Sequence, residues 1–249
     1  MASYTNSNVH VYSGDDFELL HTFGGTGYLD GQFMYPSGIA IDRHNRILVS
    51  SMNKLDVFTM KGQFVKGVGN QGKGNLEFSQ ASGIAVGKRG EIYVADSQNN
   101  RIQVINSDLS YRTSFSKACP SLGSGCLSHP QAVAINSEGN IYVVDMNNHA
   151  VQAFTPEGEF ILRFGKYGTT PGCLCVPMAL VIDQEDNVFV STSMGTVSIF
   201  DKLGTFLRQF GSYGSELGQF NQIRGMHIDR KGQLYICEWM SNRIQIFEG

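Results

Sequence analysis

Hydrophobic and polar residues alternate in short runs along the chain, with the period that β-strands show. One run, IYVADSQNNRIQVI at residues 92–105, returns as IYVVDMNNHAVQAF from Ile141 and as LYICEWMSNRIQIF from Leu234. Two further copies, ILVSSMNKLDVF from Ile47 and VFVSTSMGTVSIF from Val188, keep the apolar pattern and lose the polar motif. Five copies of one pattern indicate an internal repeat.

Each repeat contains four short runs rich in Val, Ile, Phe and Tyr, separated by turn residues. The repeats start near residues 37, 82, 131, 178 and 224. In the third repeat the runs are QAVAIN, NIYVVD, AVQAF and EFILRFG, and the links SEGN and TPEG have the composition of tight hairpins. Each repeat is therefore predicted to be a four-stranded antiparallel meander. Because one such sheet has two faces to bury, radial stacking into an all-β propeller is the predicted fold.

The N-terminal segment adds an incomplete repeat. NVHVY at Asn8–Tyr12 matches the third strand RIQIF at Arg243–Phe247, and ELLHTF at Glu18–Phe23 matches a fourth strand. We therefore predict a single domain, residues 1–249, with five evident blades and a partial sixth blade over residues 8–23. Five blades with a spare strand and six with a truncated one both fit the count. Since the sequence ends on a third strand, we predict that ELLHTF pairs with RIQIF and closes the ring.

The Gly-rich links FGGTGYLDGQF, FGKYGTTPGCL and FGSYGSELGQF, together with the D-x-x-N-N-R loops, resemble NHL repeats. From Asn8 to Phe247 the chain is similar to the C-terminal NHL domain of tripartite-motif (TRIM-NHL) proteins. That resemblance implies an NHL-type β-propeller that binds a protein or single-stranded RNA. It also implies that any ubiquitin-ligase activity would lie in segments with a Cys/His zinc framework, which this sequence does not show.

The polar loop itself has a structural interpretation. Asp96 and Arg101 flank one loop between a second and a third strand, where a carboxylate can accept from backbone amides and from the guanidinium. A loop clamp would recur in many blades, whereas a binding residue need not. In the two decayed repeats, Ser50 and Ser191 are taken to replace the Asp, and we expect looser loops there.

Composition restricts the function classes. A formal charge of −3 and a pI near 6.1 disfavour a surface that attracts phosphate everywhere, but they allow a local basic patch. The start MASYTNSNVHVY does not have the pattern of a secretion signal, and no apolar run approaches the ~18 residues of a membrane span. We therefore expect a cytoplasmic domain without a membrane segment, monomeric when isolated.

The five cysteines and six histidines suggest neither a metal site nor a cofactor. With no secretion signal, reduced thiols are expected, and the loop cysteines have an uncommon spacing for zinc; they are Cys119, Cys126, Cys173 and Cys175. Among the innermost strands only His227 offers a ligand, while His129 and His149 fall on another blade. We expect no enzyme. The alternative is a metal-dependent propeller enzyme of the lactonase or amidating-lyase type.

Strand alternation places the Gly-rich links and the polar loops on one side of the blades, with the tight hairpins on the other. The Gly-rich side also collects aromatic residues beside cations, the pairing that base stacking or a protein hot spot uses. Repeated Phe33, Phe78 and Phe220 are instead expected in the core. The predicted binding residues are Trp239, Arg243, Arg224, Arg101, Tyr213, Tyr167, Lys166 and Lys73.

Overall fold

The computed structural model describes residues 2–3, 6–14, 16–116 and 125–248. By its internal contacts the chain divides into two compact units, Met1–Lys117 and Ala118–Gly249. Regular structure in the described residues is almost entirely β, with four four-stranded and two three-stranded antiparallel sheets. The helical segments there are two 3₁₀ turns, Ser97–Asn99 and Met146–Asn148.

The first unit contains three of these sheets. Its strands are β1 (Ala2–Ser3), β2 (Asn8–Tyr12), β3 (Leu19–Gly24), β4 (Pro36–Ile41), β5 (Arg46–Ser51), β6 (Lys54–Thr59), β7 (Phe64–Val68), β8 (Asn70–Gln71), β9 (Glu77–Phe78), β10 (Ala81–Val86), β11 (Ile92–Asp96), β12 (Arg101–Ile105) and β13 (Tyr111–Phe115). The three sheets are β1–β3, β4–β7 and β10–β13, and within each sheet consecutive strands of the chain are neighbours. The two-residue strands β8 and β9 form a parallel pair inside a Gly-rich link.

The second unit repeats the arrangement. Its strands are β14 (Pro130–Ile135), β15 (Ile141–Asp145), β16 (Ala150–Phe154), β17 (Phe160–Phe164), β18 (Pro177–Ile182), β19 (Val188–Thr192), β20 (Val197–Phe200), β21 (Phe206–Phe210), β22 (Ser212–Tyr213), β23 (Gln219–Phe220), β24 (Ile223–Ile228), β25 (Leu234–Glu238) and β26 (Arg243–Phe247). Sheets β14–β17 and β18–β21 have four strands, and β24–β26 has three. The predicted four-stranded meander is confirmed in four repeats.

Burial follows the position of a strand within its sheet. Every residue of β11, β12, β15 and β16 is buried, so both faces of these middle strands are covered. The fourth strand β17 is mostly exposed. Apolar residues therefore occupy consecutive positions in the middle strands, as expected of sheets packed on both faces.

Within the second unit, neighbouring sheets pack face against face. Val151 and Ala153 of β16 share one cluster with Leu180 and Val190 of the following sheet. A second cluster joins Val197 of that sheet to residues of β24–β26. The sheet β18–β21 thus supplies one side of two apolar layers, which is how repeats that cannot fold alone become stable.

The repeated phenylalanines of the Gly-rich links lie in the core. Phe33, Phe78 and Phe220 have no solvent exposure, and the ring of Phe33 also packs at a tilt against that of Phe58, with 5.5 Å between ring centroids. Burial of a large aromatic at the same point of these three links anchors each link to its sheet. The prediction that these residues are structural is confirmed.

The predicted pairing of ELLHTF with RIQIF is wrong. Strand β3 pairs with β2, with Asn8 opposite Gly24 and Val9 opposite Phe23, and β1 adds a short third strand through Ala2 and Val9. A hairpin between neighbouring strands closes a short loop, whereas the predicted partner is separated by most of the chain. The N-terminal blade is therefore a three-stranded sheet of its own, which extends beyond residues 8–23 at both ends.

Across the described parts of the chain, no helix has the length and apolar character needed to cross a membrane.

Candidate functional site

The loop between β11 and β12 is held by a buried ion pair. Arg101 Nε donates to Asp96 Oδ2 at 2.8 Å, and the two side chains are 6% and 0% exposed. The rest of the guanidinium donates to three carbonyls of the preceding Gly-rich link, those of Lys73, Gly74 and Glu77. One arginine thus ties the polar loop to the link, and the predicted clamp is confirmed.

The two asparagines of the motif complete this clamp. Asn99 Nδ2 bridges Asp96 Oδ2 and the carbonyl of Gly72. Asn100 ends the 3₁₀ turn in the left-handed conformation, with φ of 54°, which Asn adopts more readily than most residues. Asp96 Oδ1 accepts from the amide of Ser79. Each recurrent position of the motif therefore has a structural function.

The last sheet builds the same clamp with a glutamate. Arg243 Nε donates to Glu238 Oε1 at 2.6 Å, and its terminal nitrogens reach three link carbonyls, those of Ser215, Glu216 and Gln219. Burial alone would raise the pKa of Glu238, but hydrogen bonds from Arg243 and the Asn221 amide outweigh it, so this pKa lies below its ordinary value.

The sheet β14–β17 has the carboxylate without the arginine. Asp145 pairs with Ala150 across the strands, and its Oδ2 accepts from Asn148 and Gln152 at 2.7 and 2.6 Å. Gln152 also donates to the carbonyl of Cys126 in the link. Burial raises the pKa of Asp145 above its ordinary value and outweighs these hydrogen bonds and the charge of Arg163.

In the two decayed repeats, the prediction of the residue that replaces the Asp is wrong by one position. Pro36 pairs with Ser51 and Pro177 pairs with Thr192, just as Ala81 pairs with Asp96. Ser51 and Thr192 therefore replace the Asp, and Ser50 and Ser191 do not. Counting from Ile47 and Val188, the first residues of the second-strand copies, would have found this from the sequence.

These two repeats close their loops differently. Lys54 lies where Arg101 does, and its Nζ reaches both Asp56 Oδ2 and the carbonyl of Leu29. In the sheet β18–β21, the Oγ1 atoms of Thr192 and Thr196 lie 2.7 Å apart. A hydroxyl pair therefore closes the loop where the sheets β4–β7, β10–β13 and β24–β26 use a cation.

A pocket of about 220 Å³ lies at this hydroxyl pair, within the second unit. Its walls come from the Gly-rich link 165–174, the shortened loop 193–196 and the start of the next link; they include Thr169, Cys173, Cys175, Met194 and Tyr213. Of these residues only Tyr213 was among the predicted binding residues. The loss of the charged pair at positions 192 and 196 was the sequence signal for the pocket.

Trp239 and Arg224 form a second feature of the second unit. The guanidinium carbon of exposed Arg224 lies 5.1 Å from the centroid of the half-buried Trp239 ring, a cation–π contact. In sheet β10–β13 the equivalent contact is a hydrogen bond between Ser82 and Ser97, with 2.7 Å between their oxygens. The last sheet therefore carries a large aromatic side chain and a cation at the two positions where the sheet β10–β13 has serine hydroxyls.

The remaining predicted binding residues differ in solvent exposure and in how many of their hydrogen-bond donors are already used. Tyr167 and Tyr213 are 68% and 63% exposed, and Lys166 is exposed beside Tyr167. Lys73 is exposed in the first unit. Arg101 and most of Arg243 are occupied by their clamps, so a phosphate could reach either guanidinium only if the clamp opened.

Among the described residues, no three His, Cys, Asp or Glu side chains are grouped so as to hold a metal ion. The ring of His227 lies tilted relative to that of Tyr235, with 6.3 Å between ring centroids, and the Val176 amide donates to His149 Nδ1. Burial lowers the pKa of His129.

The cysteines differ in redox state. Cys173, Cys175 and Cys237 are free thiols. Cys126 is disulfide-bonded, so the expected reduced thiol is wrong at this position. The expectation of reduced thiols rested on the absence of a secretion signal, which is an argument about the compartment and not about the geometry of the loop. Cys119 lies outside the described residues.

Comparison with known proteins supports the repeat assignment. The NHL repeat model matches residues 78–105 and 127–154. These segments run from the buried apolar residue of the link, Phe78 or Leu127, to the end of a third strand and include the Asp96 and Asp145 loops. These two segments of the chain are NHL repeats.

A fly protein is similar in sequence to part of this chain. "Protein brain tumor" of Drosophila melanogaster is 28% identical over 147 residues, which is 57% of this chain and 14% of the fly protein. The chain thus matches a small part of that relative's length.

Solved structures share the architecture at low identity. Virginiamycin B lyase of Staphylococcus aureus matches with a TM-score of 0.66 at 16% identity, over 99% of this chain and 78% of the lyase. The gluconolactonase XC5397 of Xanthomonas campestris matches with a TM-score of 0.70 at 16% identity, over 94% and 77%. At such identity the likeness shows the fold alone, which is an all-β propeller.

Proposed function

We propose that this NHL propeller is a non-catalytic recognition module that binds a protein partner through the Gly-rich side of its second unit. This binding surface comprises the links 165–174 and 211–220 and the loop 239–242, together with Arg224. The cation–π pair of Arg224 and Trp239 carries the proposal. Trp, Tyr and Arg are the residue types that dominate protein hot spots, and here an Arg–Trp pair joins two exposed tyrosines.

Charge favours a protein over single-stranded RNA. RNA binding draws much of its affinity from several cations that meet phosphates. On the proposed surface Arg243 is held by Glu238 and three carbonyls, which leaves Arg224 and Lys166 as the exposed cations. Two cations on a chain of formal charge −3 supply little long-range attraction. A recruiting function in a ubiquitin-ligase-like protein would use this same surface.

The test compares binding at two salt concentrations. The wild-type chain, Trp239→Ala and a hairpin control, Arg230→Ala with Lys231→Ala, are each used to recover proteins from a lysate, and each recovered protein is then titrated directly. We expect Trp239→Ala to weaken binding at least tenfold and the control to bind as wild type, with little change at higher salt.

A random 12-nucleotide RNA is titrated in parallel. If the RNA binds, loses affinity steeply with salt and requires Trp239, the partner class is nucleic acid and the proposal is wrong. If only the hairpin control loses binding, the proposed side of the blades is wrong. Incubation with divalent metals followed by elemental analysis tests the propeller-enzyme alternative.

A further inference from the structure

The pocket in the sheet β18–β21 occupies the place where other sheets hold a guanidinium. Arg101 and Arg243 donate to the carbonyls of corresponding link residues, which in the two links are Lys73, Gly74 and Glu77, and Ser215, Glu216 and Gln219. Counted back from the buried Leu174, which corresponds to Phe78 and Phe220, these positions are Thr169, Thr170 and Cys173. Thr169 and Cys173 line the pocket.

The side chains that fill this place elsewhere are replaced here. Thr192 and Thr196 stand at the positions of Asp96 and Arg101, and both threonines line the pocket. Lys54 fills the equivalent place in the sheet β4–β7. In the sheet β14–β17 Ala150 stands at the position of Arg101, and Gln152 donates to a link carbonyl as Gln103 and Gln245 do beside the arginines. The sheet β18–β21 has the corresponding link residues, two of which line the pocket, and it lacks the cation.

We propose that this pocket receives the guanidinium of an arginine side chain supplied by a partner protein. A guanidinium is planar, carries five N–H donors and matches the three-carbonyl arrangement that Arg101 and Arg243 already use in this chain. The threonine hydroxyls add acceptors, while Met194 and Tyr213 offer surfaces for the aliphatic stem and for a cation–π contact. The proposal names the partner chemistry of the proposed binding function, and it rests on that function for the partner being a protein.

Because position 192 has no carboxylate, we expect the pocket to have a low affinity for arginine. In the two arginine clamps the guanidinium also meets a carboxylate, from Asp96 or Glu238. Thr192 is neutral, so a single arginine should bind weakly here and contribute to a larger interface. A carboxylate at position 192 should then strengthen arginine binding, because it restores the charged partner of the clamp.

The pocket is tested with small probes. N-acetyl-L-arginine methylamide is titrated into the full chain while the backbone amide resonances of Cys173, Thr192 and Thr196 are followed by NMR. N-acetyl-L-lysine methylamide is the matched probe with equal charge and different donor geometry. We expect the arginine probe to shift these resonances at a concentration at least tenfold lower than the lysine probe.

Two variants change the pocket in opposite senses. Thr192→Asp should tighten arginine binding at least tenfold, and Thr196→Arg should fill the pocket and abolish the shifts. Lys54 reaches the carbonyl of Leu29 from an even shorter loop. The longer side chain introduced by Thr196→Arg is therefore expected to reach the link carbonyls. Because the two variants act independently, failure of one to fold still leaves the other as a test.

The proposal is overturned if the arginine probe shifts none of the three resonances, if the lysine probe shifts them equally, or if the shifts persist in Thr196→Arg. These outcomes concern the pocket alone. Loss of protein binding in Trp239→Ala is a separate result, so the proposed function can stand when the pocket proposal fails.

Discussion

The sheets β18–β21 and β24–β26 of the second unit share the pairing order of their first three strands and close their polar loops by different chemistry. In the last sheet a buried glutamate and an arginine tie the loop to the Gly-rich link. In its neighbour two threonine hydroxyls meet at 2.7 Å and a pocket of about 220 Å³ lies beside them. The comparison shows that the fold tolerates loss of the ion pair when the strands themselves are well packed.

Energetics explain this tolerance. A buried ion pair loses hydration on both partners, so its net contribution to folding is small while the loss of one partner is costly. Replacement of both partners by hydroxyls that bond to each other leaves no buried charge unpaired. The repeat with Thr192 and Thr196 has changed both positions in this way. The sheet β14–β17 has lost only the arginine, and there Asn148 and Gln152 donate to the carboxylate of Asp145 instead.

The largest effect is expected at the most buried clamp. Asp96→Ala leaves the guanidinium of Arg101 and the amide of Ser79 without their acceptor, and we expect a loss of about 3–5 kcal/mol in the free energy of unfolding. Thr192→Ala, at the same position of the hydroxyl loop, should cost about 1 kcal/mol. Urea denaturation of both variants measures the difference, and equal costs would contradict the comparison.

An intermediate and pH-dependent effect is expected in the last sheet. The pKa of Glu238 is lowered in the fold, so its ionised form stabilises the protein above the ordinary pKa of 4.5, and this contribution is lost as the pH falls through the lowered value. Glu238→Gln should therefore cost about 1–3 kcal/mol at pH 7 and less in acid. Unfolding curves at several pH values between 7 and 3 measure this.

Asp145 is the control, because its pKa is shifted in the opposite direction to that of Glu238. Burial raises its pKa, so the contribution of the protonated form is present below its ordinary pKa of 3.8 and is lost as the pH rises through the raised value. The cost of Asp145→Asn should grow toward acid pH, whereas that of Glu238→Gln shrinks. If both costs change in the same direction, the role assigned to the Arg243 guanidinium is wrong.

The smallest effect is expected at Ser191, one position before the threonine that replaces the Asp. Ser191 is buried, and its hydroxyl accepts from the amide of Ala179 at 2.9 Å. Ser191→Ala should cost about 1 kcal/mol, because the buried amide loses its acceptor. Exposed Ser212 is the matched control, and Ser212→Ala should change the unfolding free energy by less than about 0.5 kcal/mol. A cost-free Ser191→Ala would show that this hydrogen bond is not needed.

The sequence determined the repeat, the four-strand meander, the buried phenylalanines and the pairing of Asp96 with Arg101. These features depend on residues a few positions apart or on one periodic pattern, so local spacing is enough to predict them. The roles proposed for Trp239, Tyr167 and Lys166 in binding stay predictions. Their exposure and their neighbours agree with such a role without testing it.

Only the tertiary structure decided how β3 pairs, how Arg224 stacks on Trp239 and where the pocket lies. The prediction of Arg243 as a binding residue did not account for three carbonyls that lie 24 to 28 residues away in sequence. The pocket likewise depends on a Gly-rich link and a polar loop that meet after folding. A one-dimensional pattern marks which residues recur, whereas contacts between distant segments determine which donors are already satisfied and which acceptors are still open to a partner.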